Sequence, residues 1–165
     1  MGKRLFFAVL LAVFTGIALV GVYHDAAGGT TTREVTFRGT YRGRLDILLR
    51  PTGFQLVSYA RGRASVIGDS VLLGTGPTAN PRPGCWQFSG LASLVGTSGT
   101  HLYLDFPRQT GCVTSGTTFR VSGRPATVIG GTGRFKRATG RLSLTSTGDS
   151  VTGAVTFTLN GSLSY

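Results

Sequence analysis

Carboxylates, histidines and cysteines are all scarce in this chain. Of 165 residues, six are Asp or Glu, two are His and two are Cys, and charged residues reach only 14%. Ordinary globular chains carry roughly a quarter. The scarcity removes whole classes of chemistry. No H-E-x-x-H, no G-x-S-x-G and no metal-ligand cluster occurs, so neither the usual hydrolase arrangements nor a cofactor is expected. No C-x-x-C is present, which argues against a redox thiol. No Lys/Arg-rich run and no basic motif interleaved with aromatics appears, so no specific nucleic-acid partner is expected. Helical patterning is missing too. After residue 25, no window sustains an apolar period of 3.6 residues.

What remains is Gly, Thr, Ser and Arg. Gly numbers 26 and Pro only 6, a mixture that suits short strands joined by tight turns. From Gly28 onward there are 15 basic and 5 acidic residues, a net charge of about +10, and Lys136 is the only Lys. The basic residues are scattered from Arg33 to Arg141, which reads first as a solvated exterior. An anionic cell surface is the partner such a balance attracts.

Residues 1–27 read as an export segment. Lys3 and Arg4 precede Leu5–Val22, an apolar run broken only by Thr15, Gly16 and Gly21. The run is long enough, at about 27 Å of helix, to come close to spanning a bilayer. A cleaved signal peptide and an uncleaved signal anchor therefore both stand, and either makes the domain secreted or part of the cell envelope. No Cys lies near the run, which argues against a lipid-anchored lipoprotein. Residues 28–33 read as a flexible tether, and 34–165 as a single domain.

Period-two alternation runs through that domain. Val35, Phe37 and Tyr41 alternate with polar residues, and Val155, Phe157, Leu159 and Leu163 share one parity through Gly161. Further strands are expected at 45–49, 54–59, 64–67, 70–73, 85–88, 101–106, 112–113, 118–121, 126–129 and 142–145. Gly68-Asp69 signals a two-residue hairpin turn. Pro77, Pro81 and Pro83 mark 74–84 as a loop, and Pro107 stops a strand. Asn160-Gly161 is not a turn, because the alternation passes through it. The whole predicts an all-β fold, an antiparallel β-barrel of about eight strands after an N-terminal apolar export helix. Cys85 and Cys112 are expected to form a disulfide that pins the Pro-rich loop.

Two stretches invite functional readings. In His101–Phe106 the polar residues His101, Tyr103 and Asp105 share one face, opposite Leu102, Leu104 and Phe106. A His near a carboxylate and a phenol could do acid–base work. The plainer reading puts the apolar trio inside the barrel and the polar trio in water. The second stretch is Gly130-Gly131-Thr132-Gly133-Arg134-Phe135. It lacks the G-K-[ST] ending of a phosphate-binding loop, and no helical pattern follows it. A tight strand-to-strand turn with positive φ, anchored by Phe135, is expected instead.

Val128-Ile129 with that stretch, then Ala138-Thr139-Gly140 and a Thr-rich strand, resemble the allene-oxide-cyclase-like and dirigent-like β-barrel group. Its bacterial exported members carry a G-G-T-G-R-F-x-x-A-x-G signature near the C-terminus. The match covers about residues 123–163. The resemblance implies an eight-stranded antiparallel barrel and, as in the plant relatives, a homo-oligomer of three chains. It transfers no catalytic residue, since those of the plant cyclases and dirigent proteins lie outside the matched stretch. A non-enzymatic barrel holding a small apolar ligand in its lumen is the leading expectation. An oxylipin- or phenol-directed isomerase and an Arg-rich surface-binding module are the alternatives.

Overall fold

The computed structural model describes residues 33–51 and 53–165. The export segment falls outside the described residues, as does the tether up to Thr32. Residues 31–165 form one compact unit with its own core.

Nine strands follow one another: β1 (Glu34–Arg50), β2 (Gly53–Ala64), β3 (Gly68–Arg82), β4 (Cys85–Gly96), β5 (His101–Ser115), β6 (Thr118–Gly123), β7 (Ala126–Gly131), β8 (Thr139–Asp149) and β9 (Ala154–Ser164). All pairings are antiparallel, and the ring closes where β1 meets both β2 and β9. β6 and β7 share one position between β5 and β8, β6 toward one end and β7 toward the other. The barrel therefore has eight staves, and the one made of β6 and β7 is broken at Arg124-Pro125. Pro125 lacks an N–H for a ladder bond, which accounts for a break there.

The inward parity is apolar on every stave. Phe37, Tyr41, Leu94, Leu102, Leu104, Leu142, Leu159 and Leu163 are fully buried. An eight-stranded barrel is just wide enough for its own side chains to fill, and these do. Cys85 and Cys112 are directly opposed on β4 and β5 and are bonded, with Cα atoms 4.1 Å apart. The bridge lies beside the β3–β4 turn.

Several boundaries differ from the sequence expectation. The stretch 74–84 is mostly strand, not loop. β3 runs through Pro77 to Arg82, and a register shift between Ala79 and Arg82 relieves the ladder. Prolines are tolerated at such irregularities. Pro107 does not stop β5 either. Phe106 opposes Gly90 and Gln109 opposes Phe88, so Pro107 and Arg108 face Ser89 alone. That β-bulge absorbs the missing N–H and turns Gln109 inward. Residues 45–49 continue β1 instead of forming a separate strand. Ala64 pairs with Gly68, so Ser65–Ile67 is the β2–β3 turn and the two-residue turn at Gly68-Asp69 is not formed. Gly68 has φ +76°, the left-handed position that closes a three-residue hairpin loop.

Candidate functional site

The polar trio of β5 lies on the outer wall. Leu102, Leu104 and Phe106 point into the core, while Tyr103 and Asp105 are exposed and His101 is half-buried. His101 Nδ1 sits 3.1 Å from Ser93 Oγ, and its ring is 5.7 Å from that of Tyr103. Four residue steps of strand separate His101 from Asp105, about 13 Å of extended chain. They form no His–carboxylate couple. Among the described residues no group of His, Cys, Asp or Glu is placed to hold a metal.

The lumen is nearly full. A cavity of about 40 Å³ in it is lined by Leu45, Leu56, Phe88, Phe106 and Phe157 among others. Such a space admits a water molecule but not an oxylipin. Among the lumen's polar groups, Tyr41 and Ser70 pair with each other, whereas Trp86 Nε1, Gln109 Oε1 and Ser146 Oγ are buried without a partner among the described residues. Tyr41 Oη and Ser70 Oγ are 2.9 Å apart, and Ser70 also donates to the Gly68 carbonyl at 3.1 Å. Burial raises the Tyr41 pKa, and the Ser70 bond only partly opposes this.

The larger hollow is outside. A groove of about 520 Å³ crosses the wall of β2, β3, β4, β5 and β7. Its sides are Tyr59, Leu73, Leu91, Tyr103 and Ile129. Leu91 is 57% exposed and Ile129 54%. The register explains the alignment: Tyr59 opposes Leu73, Leu73 opposes Ser93, and Ser93 opposes Tyr103. Arg61 borders the groove, its Nε donating to Tyr59 Oη at 2.7 Å. Apart from Tyr103, read with His101 and Asp105 as a candidate for acid–base work, these residues carry no functional expectation from the sequence. The available signal was apolar residues at outward parity, as in Leu72-Leu73 and Val128-Ile129, where both faces of a strand are greasy.

The glycine-rich motif plugs the end of the barrel that carries the termini. Its connection is longer than a tight turn and includes a 3-10 turn at Gly133–Phe135. Thr132 and His101 exchange two bonds. The His101 N–H donates to Thr132 Oγ1 at 2.9 Å, and the Thr132 N–H donates to the His101 carbonyl at 3.0 Å. Phe135 is fully buried, edge-on to Tyr165 at 5.1 Å. Arg134 stacks over both rings and donates to the Val66 carbonyl. The motif's N–H groups thus serve the fold: those of Phe135, Lys136 and Ala138 also bond backbone carbonyls. Among known proteins, no family model matches the chain and no curated protein shows significant similarity to it.

Proposed function

We propose that the chain is an exported, non-enzymatic β-barrel that binds a small apolar or aromatic ligand in the outer-wall groove. The observation that carries this reading is the groove itself. At about 520 Å³ it falls within the range of small-molecule sites, roughly 300–1,000 Å³. The lumen cavity, at about 40 Å³, is far below that range. The groove also has the composition such sites favour, two Tyr and three large aliphatics. The Gly130–Phe135 signature supports placing the chain in the allene-oxide-cyclase-like and dirigent-like group. An isomerase of that group would have to work with His101, Tyr103 and Asp105 on an open wall, separated along one strand.

Extraction of the protein from its native source, followed by mass spectrometry, tests the ligand directly. A solvatochromic apolar dye tests the site. We expect the dye to bind wild type and to lose about tenfold affinity or more in Leu91→Arg, a charge placed in an apolar site. Unchanged dye binding in that variant overturns the groove. A homo-oligomer would bury the same wall. A concentration-dependent mass abolished by Leu91→Arg, with no dye binding, would assign the groove to a second copy.

A further inference from the structure

The β1–β2 hairpin overhangs the barrel at the end opposite the termini. β9 begins at Ala154, level with Arg44, and the Leu45 N–H makes the last bond across that seam, to the Gly153 carbonyl at 2.9 Å. From Asp46 to Arg50, β1 pairs only with β2. With no β9 alongside, the inward-parity side chains of this β1 segment are left uncovered. Ile47 is 47% exposed, Leu49 77% and its cross-strand partner Phe54 46%, and Leu48 on the other face is 39% exposed. Val151, on the neighbouring β8–β9 loop, is 78% exposed.

The charges at this end are mainly positive. Arg44, Arg50, Arg108 and Arg120 stand against Asp46 and Asp149. Both carboxylates are engaged. Asp46 pairs with Arg44 at 3.5 Å, and Asp149 accepts from the Thr117 hydroxyl and from the Val151 and Thr152 amides.

We propose that this rim docks on an anionic lipid bilayer, with the β1–β2 tip inserted among the acyl chains. The tip carries exposed apolar side chains on both faces, Ile47, Leu49 and Phe54 on one and Leu48 on the other. Interfacial insertion needs an apolar tip reaching about 5–10 Å below the headgroups and cations level with the phosphates. Arg50 and Arg44 can bury their stems and keep their guanidinium groups at that level. A second copy fits less well. Pairing on the bare edge would engage only Asp46–Arg50 of each chain, far short of the roughly 1,000 Å² of a stable interface. This proposal does not rest on the groove.

Residues 31–165, which hold the whole core, serve as the test protein. Trp86 is the only native Trp and is buried, so Leu49→Trp adds a reporter at the tip. We expect its fluorescence to be quenched by brominated acyl chains in phosphatidylglycerol-containing vesicles. Leu49→Asp with Phe54→Asp should lower vesicle affinity by about tenfold or more, with thermal unfolding retained as the sign of an intact barrel. Leu91→Arg should leave vesicle binding unchanged. Vesicle-bound protein with an unquenched reporter overturns the proposal. So does full binding by the double Asp variant, or a dimer that buries the reporter without lipid.

Discussion

The side-chain amide of Gln109 donates to the backbone carbonyl of Arg124 at 2.7 Å, across the break between β6 and β7. The same nitrogen donates to the Pro107 carbonyl at 2.8 Å. Gln109 is fully buried, and a Cβ on its strand partner Gly123 would lie 2.5 Å from Gln109 Oε1. One side chain thus spans the bulge at Pro107 and the break at Pro125, and it supplies donors where the prolines have none. Gln109→Ala should cost about 2–4 kcal/mol, from two stranded carbonyls and a cavity. Urea unfolding checks this. Gln109→Leu should recover packing but not the two bonds, and so fall between the two.

Gly131 approaches β5 too closely for any side chain. A Cβ there would lie 2.1 Å from the His101 carbonyl oxygen. Gly131→Ala should destabilise by about 3 kcal/mol through overpacking. Gly133 has φ +56° but more space. Gly133→Ala should cost less, about 1–2 kcal/mol for the left-handed conformation alone. Thermal unfolding of the two variants should rank them in that order.

These glycines also mark how much could be read beforehand. Alternation in 34–41 and 154–165 gave strands and inward parity, because a half-buried strand imposes period two on its residues. Prolines misled, since Pro81 and Pro107 lie at register irregularities, and such irregularities depend on the partner strand. The outer-wall groove was illegible for a related reason. Tyr59, Leu73 and Tyr103 are distant in sequence and meet only through cross-strand register. The overhang at Ile47–Phe54 likewise depends on where β9 begins, which the residues of β1 do not encode.

The disulfide closes a loop with a sequence separation of 27 residues. Replacing Cys85 and Cys112 by Ala should cost about 3–4 kcal/mol in the chain-entropy limit. Reduction of wild type should reproduce most of that loss, measured as a lower urea midpoint with a steeper slope, because the unbridged denatured chain exposes more surface.

Tyr41 gives the barrel an alkaline limit. Its folded pKa is raised above the usual phenol value of 10.0 by burial. The stability it contributes is therefore complete below pH 10 and is lost as pH rises toward the folded value. Tyr41→Phe should flatten that alkaline limb. It should also cost about 0.5–1.5 kcal/mol at neutral pH through the lost Ser70 bond. Melting temperature against pH, followed for both proteins, is the measurement.

Asp149 acts at the other extreme. The Thr117 hydroxyl, with the Thr152 and Val151 amides, lowers its pKa from 3.8 to about 2. Its contribution is present above pH 3.8 and fades as pH falls through about 2. Asp149→Asn should be less stable than wild type at neutral pH, and the two should converge near pH 2. With so few carboxylates elsewhere, the rest of the acid profile should be shallow.

Glu34 and Ser164 are register partners, so the first and last strands lie side by side and both leave from the plugged end. The seam between them is an ordinary ladder, held like every other. A short linker from Tyr165 back to Arg33, with new ends opened at the exposed Gly116 turn, should therefore yield a circular permutant that folds to the same barrel. Fusions at either native end would likewise stand clear of the overhanging tip.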